Sequence, residues 1–183
     1  VTHGMLPWFT KFNGVVPDER WVAPVAAGFE KHEKLQAMLE ATTPTAEIAL
    51  IDPTTTLKNW ARDERRQAET DDLGFYHALI EAKLPFEFLS DEAMTAESLD
   101  RFKLVILANA SNLSDAQCAL LRDYAARGGS LIAAHETAMR DESGNARGDF
   151  ALGDVFGVKR TALARGPVKN SYIVLSGDHP VNQ

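Results

Sequence analysis

The stretch KLVILANASNLSDAQCALLRDYAARGGSLIAAHE, residues 103–136, contains a complete strand–helix–strand pattern. It opens with a nearly continuous apolar run, which is typical of a strand covered on both faces of its sheet. Ser114 and Gln117 have the spacing of a helix capping box. Gly128 or Gly129 then ends the helix before the next apolar run begins. The stretch therefore predicts two neighbouring strands joined by a capped helix.

The same alternation of strands and helices extends along the chain in both directions, which predicts an α/β fold with a mostly parallel sheet in three layers. It is preceded by an N-terminal helical segment, with Asp18 as its N-cap or with its start near Ala23 and Pro24 in the first turn. The predicted elements are a helix at 18–41, strands at 46–52, 85–91, 103–110 and 130–136, helices at 72–84 and 95–102, a short helix within 147–157 and a final strand within 170–180.

The helix at 72–84 follows a long polar stretch, 54–72, whose helical character is weak. We assign Asp71 or Asp72 as its N-cap because a short acidic side chain satisfies the first backbone N–H groups of a helix. Its predicted apolar face consists of Leu73, Tyr76, Leu79 and Ile80.

Composition excludes several classes of protein. The chain has 183 residues, of which 45% are hydrophobic and 25% charged, and its formal net charge is −7. This composition is typical of a globular domain, and the negative charge argues against a nucleic-acid partner. No apolar run is long enough to span a bilayer, and no secretory signal is recognisable. The single cysteine excludes an internal disulfide. This fits a reducing compartment, so we expect a cytoplasmic protein, although a secreted protein without disulfides would have the same composition.

Known cofactor and nucleophile motifs are missing from the sequence. The turn after the first strand, at 53–60, contains no glycine, which argues against a dinucleotide or phosphate loop. No G-x-S-x-G elbow occurs, and Cys118 occupies a hydrophobic staple position with Leu113, which favours packing over catalysis. The acidic loop at 141–154 lacks the spacing of a calcium-binding loop. We predict no cofactor and no metal.

Polar residues follow two of the predicted strands, at the edge where open α/β sheets bind ligands. His135, Glu136 and Thr137 follow the fourth strand, and Asn109 closes the strand before it. One interpretation is a ligand or interface site. The other is a polar strand exit, in which Glu136 or Thr137 caps the turn and His135 bonds to the backbone. Adjacent strand residues point to opposite faces, so His135 and Glu136 do not share a metal in this pattern.

The order of elements resembles the flavodoxin-like domain of class I glutamine amidotransferases and their non-catalytic relatives. More specifically, the chain resembles the β-galactosidase trimerisation domain of glycoside hydrolase family forty-two. The segments that carry this resemblance are DLGFYHALIEAKLPFEFLSD, the residues from Phe102 to Gly144, FALGDVFGV and NSYIVLSGDHP. The resemblance covers most of residues 45 to 180, and LSDAQCALLRDYAARGGSL is its most specific part.

This resemblance implies that residues 1–44 are the tail of a preceding catalytic barrel and that 45–183 form a flavodoxin-like trimerisation domain. It implies a homo-oligomer, with the barrel of the same chain as a further partner. In the amidotransferases, the turn after the equivalent of the fourth strand carries a cysteine nucleophile. Here His135, Glu136 and Thr137 occupy that turn, without a cysteine or a flanking glycine for a strained backbone. We therefore expect no catalytic residue in this fragment, and the resemblance implies that its parent is a glycoside hydrolase.

A rival hypothesis is a small carbohydrate-binding or hydrolytic domain, like the sugar-utilisation proteins of the same superfamily. Such a domain would use the strand-end residues His135, Glu136 and Asn109. Fold resemblance alone does not decide between the two hypotheses.

Overall fold

The structure is a computed structural model that describes residues 19–40, 42, 44–60 and 62–161, except for the side chains of 62–70. The chain divides into two units, Val1–Thr45 and Ala46–Gln183. In the first unit, helix α1 (Val22–Glu40) has no buried residue. It starts next to the alternative position predicted at Ala23, so Pro24 lies in the first turn, where its missing N–H leaves no hydrogen bond unmade. Asp18 lies outside the described residues.

The second unit contains a sheet of four strands, all parallel, in the order β2-β1-β3-β4. This sheet confirms the predicted α/β class and is consistent with a flavodoxin-like fold. The elements of the unit are β1 (Ile48–Asp52), α2 (Thr54–Asn59), α3 (Arg62–Glu81), β2 (Phe86–Ser90), a 3₁₀ turn (Asp91–Ala93), α4 (Ala96–Asp100), β3 (Leu104–Leu107), α5 (Asp115–Ala126), β4 (Ser130–Ala133) and α6 (Gly153–Phe156).

Each face of the sheet has its own hydrophobic core, because alternate strand residues point to opposite faces. On one face, Ala49, Ile51, Val105 and Leu107 pack with residues of α4 and α5. On the other face, Leu50, Ile106 and Ala108 pack with Leu79 of α3. The sheet is therefore the middle layer of three, and the central strands β1 and β3 are buried from both sides.

The carboxyl ends of the strands meet at one edge of the sheet. β1 and β3 are neighbours in the centre of the sheet. The connection after β1 runs to β2 on one side, and the connection after β3 runs to β4 on the other. The crevice between the carboxyl ends of β1 and β3 is therefore the topological switch point, where open α/β sheets bind ligands.

The predicted start of the helix at 72 is wrong, because α3 begins ten residues earlier, at Arg62. The polar stretch ahead of it is rich in Arg, Glu, Gln and Ala, which all have good helix propensity. Asp71 and Asp72 therefore lie inside the helix and do not cap it.

The predicted apolar face of α3 is only half correct. Leu79 is buried, and Tyr76 packs against the same core. Leu73 and Ile80 are 51% and 52% exposed. A helix on one side of a sheet buries a stripe, and here Phe75 completes the stripe in place of the two exposed residues.

Strands β3 and β4 are shorter than predicted. β3 ends at Leu107 because the chain then turns, with the Ser111 N–H donating to the Asn109 carbonyl at 2.8 Å. β4 ends at Ala133, so His135 and Glu136 belong to a turn and not to a strand. The predicted final strand within 170–180 lies outside the described residues.

Helix α5 has the predicted capping box. The Ser114 hydroxyl accepts from the Gln117 N–H at 3.2 Å, and the Gln117 side chain accepts from the Ser114 N–H at 2.8 Å. Both members of the predicted staple are buried in the core, Leu113 at 0% and Cys118 at 1% exposure. The start of the helix is therefore fixed by local side chains in the way that the sequence predicts.

Candidate functional site

The turn after β4 has an unusual backbone. His135 and Ala138 both adopt positive φ angles, 53° and 56°, which residues other than glycine rarely adopt. The expectation that this turn lacks a strained backbone because it lacks glycine is therefore wrong. The strain is compensated by hydrogen bonds: the Ala134 N–H donates to the Leu107 carbonyl at 3.0 Å, and the Ala138 N–H donates to the Ala110 carbonyl at 2.9 Å.

Thr137 holds this turn in place. It is 1% exposed, and its hydroxyl lies 3.0 Å from the Leu107 carbonyl oxygen and 2.8 Å from that of Ala134. Of the side chains predicted to cap the strand exit, it is Thr137 that bonds to the backbone. Its hydroxyl ties the turn to the end of β3, which fixes the position of His135 and Glu136.

A surface cavity of about 430 Å³ opens beside this turn. His135 and Glu136 both line it, because the turn brings onto one side two residues that a strand would send to opposite faces. The cavity wall is mainly apolar, and its polar side chains lie in the β4 turn and in the segment after α6. The lining residues are Ala133, Ala134, His135, Glu136, Thr137, Met139, Phe150, Phe156, Val158, Lys159 and Arg160.

Both signs of charge occur around the cavity. Glu136, Lys159 and Arg160 all line it, and its apolar wall includes Phe150 and Phe156, whose ring centroids are 5.6 Å apart. Asp149 fixes the segment after α6, because its carboxylate accepts from the Arg160 N–H and from the Phe150 N–H, each at 2.8 Å. These backbone donors, Arg160 first, hold the pKa of Asp149 below its usual value. Apolar walls with a few polar groups are typical of small-molecule sites.

Asn109, the fourth predicted site residue, lies elsewhere. It is fully buried, and its side-chain Nδ2 donates to the Asp71 Oδ2 at 2.7 Å. The residues that line the cavity do not include Asn109. The structure therefore brings three of the four predicted residues together and places the fourth beside α3.

Three aspartates near Asn109, which the sequence pattern does not predict as a site, form an acidic cluster. Asp52 ends β1, and Asp71 and Asp72 lie in α3. Burial, together with the negative charges of Asp52 and Asp71, raises the pKa of Asp72 to about 7. The interpretation of Asp71 and Asp72 as caps concealed this group. Asp52, an acidic residue at the end of a buried strand, is the signal that could have revealed it.

Cys118 lies in the core under α5. Burial raises the pKa of its thiol, which therefore stays protonated near neutral pH.

Among the residues that the structure describes, no group of three or more His, Cys, Asp or Glu side chains is arranged to hold a metal ion. In the same part of the chain, no helix is both long and apolar enough to cross a membrane.

The fold and the sheet edge define a flavodoxin-like α/β domain with a cavity at the carboxyl end of β4. Solved structures with a similar fold include β-galactosidases. The catalytic mutant of Gan42B, a GH42 β-galactosidase from G. stearothermophilus, matches with a TM-score of 0.62 and 21% identity over 80% of this chain and 22% of its own.

The β-galactosidase from Bifidobacterium adolescentis matches with a TM-score of 0.52 and 20% identity over 62% of this chain and 55% of its own. The one from Bacillus circulans sp. alkalophilus matches with a TM-score of 0.60 and 16% identity over 74% of this chain and 21% of its own. No family model and no curated protein sequence matches the chain. At these identities the likeness shows the fold, and the chain spans 55% or less of these three structures.

Proposed function

We propose that this chain belongs to a glycoside hydrolase of the β-galactosidase type and that residues 45–183 are its accessory, oligomerisation domain. The observation that carries the proposal is the fold likeness, which takes in 80% of this chain but only 22% of Gan42B. A domain that makes up about a fifth of a larger hydrolase fits an accessory role. In this proposal, residues 1–44 are the tail of the catalytic barrel.

The turn after β4 supports a non-catalytic role. In the amidotransferases that the sequence resembles, the nucleophilic cysteine occupies this turn. His135 stands there in this chain, at the strained position, and Cys118 is buried in the core instead. A neutral, buried thiol is a poor nucleophile. The domain has therefore kept the backbone of the turn without the group that would form an acyl intermediate.

An exposed apolar surface supports assembly. Leu73 and Ile80 lie two turns apart on the outside of α3, and Leu84 and Phe88 lie on the loop and strand that follow. These four residues, the β2-edge surface, are 51%, 52%, 48% and 56% exposed. Phe88 stacks on Tyr76 with ring centroids 6.1 Å apart. Large hydrophobic side chains grouped beside an edge strand are typical of an interface between chains.

Sedimentation velocity on the 183-residue chain tests the assembly role. We expect an oligomer, with three subunits as the family resemblance implies, and dissociation to monomers in the double variant Leu73→Glu/Ile80→Glu. Ala119→Glu, at an exposed position of α5, is the matched control and should stay assembled. A wild-type chain that is monomeric at all concentrations would refute the assembly role.

The glycoside hydrolase part of the proposal has a separate test. The genomic sequence that precedes the codon for Val1 should encode a barrel with paired carboxylates at its strand ends, since those groups perform retaining or inverting glycoside hydrolysis. An unrelated upstream region would reject the parent enzyme without affecting the assembly result.

A second candidate function is carbohydrate binding by this domain. The cavity beside His135 favours it, because its Phe150 and Phe156 rings and its polar rim match the two faces of a sugar. Calorimetric titration with galactose should show saturable binding, and the double variant His135→Ala/Glu136→Ala should lose it. Equal heats for the wild type and the double variant would reject this candidate.

A further inference from the structure

The loop after β3 contains several buried polar atoms without a partner. Asn109, Ser111 and Asn112 are all fully buried. The Oδ1 of Asn109, the Oγ of Ser111 and both amide atoms of Asn112 have no hydrogen-bond partner. Native proteins rarely leave such atoms unpaired, because each costs free energy comparable to a lost hydrogen bond. The loop lies at the switch-point edge of the sheet, which suggests that a bound group satisfies some of these atoms.

The side-chain amide of Asn109 contacts the cluster formed by Asp52, Asp71 and Asp72. Its Nδ2 donates to the Asp71 Oδ2 at 2.7 Å, and the Oδ1 of the same amide is buried without a partner. The Oδ1 of Asp72 is also buried and unpaired. Asp52 approaches from the end of β1, close enough that its charge acts on Asp72. The unpaired atoms of Asn109 and Asp72 are acceptors, and the group around them is negatively charged.

These atoms define the chemistry of a matching ligand. It must donate hydrogen bonds, and it must carry positive charge. A neutral hydroxyl compound supplies donors but no charge. A metal ion requires oxygen ligands within about 2.6 Å, and the described acidic side chains do not form a group of three so arranged. A primary ammonium group has three N–H donors, which reach acceptors at about 2.8 Å.

We propose that Asp52, Asp71, Asp72 and Asn109, the switch-point site, bind the primary ammonium group of a small organic cation. In this arrangement the ammonium donates to the Asp72 Oδ1 and to the Asn109 Oδ1, and the negative charge of the carboxylates stabilises its positive charge. The site lies at the crevice between β1 and β3, where the fold places ligands. The proposal does not depend on the accessory role or on the cavity beside His135.

NMR titration of the 183-residue chain with 1,3-diaminopropane at pH 8 tests the proposal. We expect saturable shifts of the Asn109 side-chain amide and of the Asp72 carboxyl carbon. Asp72→Asn removes one charge at constant size and should weaken binding about tenfold or more, as expected for a charge-assisted hydrogen bond. Asp123→Asn, which changes an exposed aspartate of α5, should bind like the wild type. Circular dichroism checks folding, and Asp52→Asn replaces Asp72→Asn if that variant unfolds.

1,3-Propanediol and Mg²⁺ separate the alternatives. The diol has the length of the diamine without its charge, and Mg²⁺ has charge without N–H donors. Both should leave the Asn109 and Asp72 signals unchanged at constant ionic strength. Equal binding of the diol, the same shifts with Mg²⁺, or no saturable shift with the diamine would each overturn the proposal. The last result would leave ordinary buried water as the partner of these atoms.

Discussion

At the scale of the single residue, Asp72 makes stability depend on pH. Its pKa rises from 3.8 to about 7 on folding. Between these values the folded chain binds more protons than the unfolded chain, so this residue's contribution to stability falls as the pH rises and is constant above about 7. We expect Asp72→Asn to remove this part of the pH dependence. Urea unfolding at pH 5 and pH 8 measures the difference.

Asp123→Asn is the control for the Asp72 measurement, because it replaces an exposed aspartate that does not belong to the cluster of Asp52, Asp71 and Asp72. The control should lose as much stability between the two pH values as the wild type. If Asp72→Asn also loses as much stability between pH 5 and pH 8 as the wild type, the Asp72 carboxyl is not desolvated in the way that the structure indicates. The difference in this change between variant and wild type is the quantity to compare, because other ionisable side chains also titrate between pH 5 and pH 8.

Two neighbouring glycines show what the sequence reveals about single residues. The sequence predicts that Gly128 or Gly129 ends α5, and the structure shows that the two have different roles. Gly128 has a φ of 99°, which a glycine adopts without strain. A Cβ on Gly129 would lie 2.2 Å from the Tyr124 ring, whose hydroxyl donates to the Phe102 carbonyl at 3.0 Å. The pattern predicts the turn, but the second role depends on tertiary packing.

At the scale of elements, a single threonine connects α2 to the loop after β3. Thr56 is fully buried, and its hydroxyl accepts from the Asn112 N–H at 2.9 Å. Thr56→Val keeps the shape but leaves that N–H buried and unpaired, which should cost about 1–3 kcal/mol of the free energy of unfolding. Urea unfolding measures the loss. Thr56→Ser keeps the acceptor, so it should retain more stability than Thr56→Val, and a valine variant as stable as the wild type would contradict this role.

Elements with local signals were predicted well, and elements without them were not. The capping box of α5 involves Ser114 and Gln117 alone, so its start is visible in the sequence. α3 has no comparable start signal within the charged stretch from which it begins, and the apolar stripe of its second half suggested a later start. Which face of α3 is buried depends on where the sheet lies, and the sequence does not show this. Ile80 is therefore predicted to be in the core although it is exposed.

At the scale of the whole molecule, the alternation of elements predicted the parallel sheet because few topologies accommodate it. The β4 turn was recognisable as a candidate site because its residues are consecutive. The switch-point site was not, because it requires Asn109 to meet Asp71, which is 38 positions away in the sequence. No periodicity indicates such a pairing. The backbone strain at His135 is likewise stabilised by bonds to β3 that the sequence does not show.

The two units should differ in stability. β3 is buried on both faces, with Val105 at 0% exposure on one face and Ile106 at 2% on the other, whereas α1 has no buried residue. A helix that buries no apolar side chain is only marginally stable in water, so its amides exchange through local fraying. Amides of β1 and β3 exchange only when the sheet unfolds. We expect hydrogen exchange in α1 to be faster by orders of magnitude, as measured by mass spectrometry of the intact chain after proteolysis.

Low concentrations of urea distinguish the two modes of exchange. Global unfolding exposes a large surface, so urea should accelerate exchange in Leu104–Leu107 strongly, whereas fraying exposes little, so exchange in Val22–Glu40 should hardly respond. Equal protection of both segments, with equal urea dependence, would show that α1 unfolds together with the sheet. It would then mean that contacts with other chains or segments stabilise α1, because its own side chains bury too little apolar surface to do so.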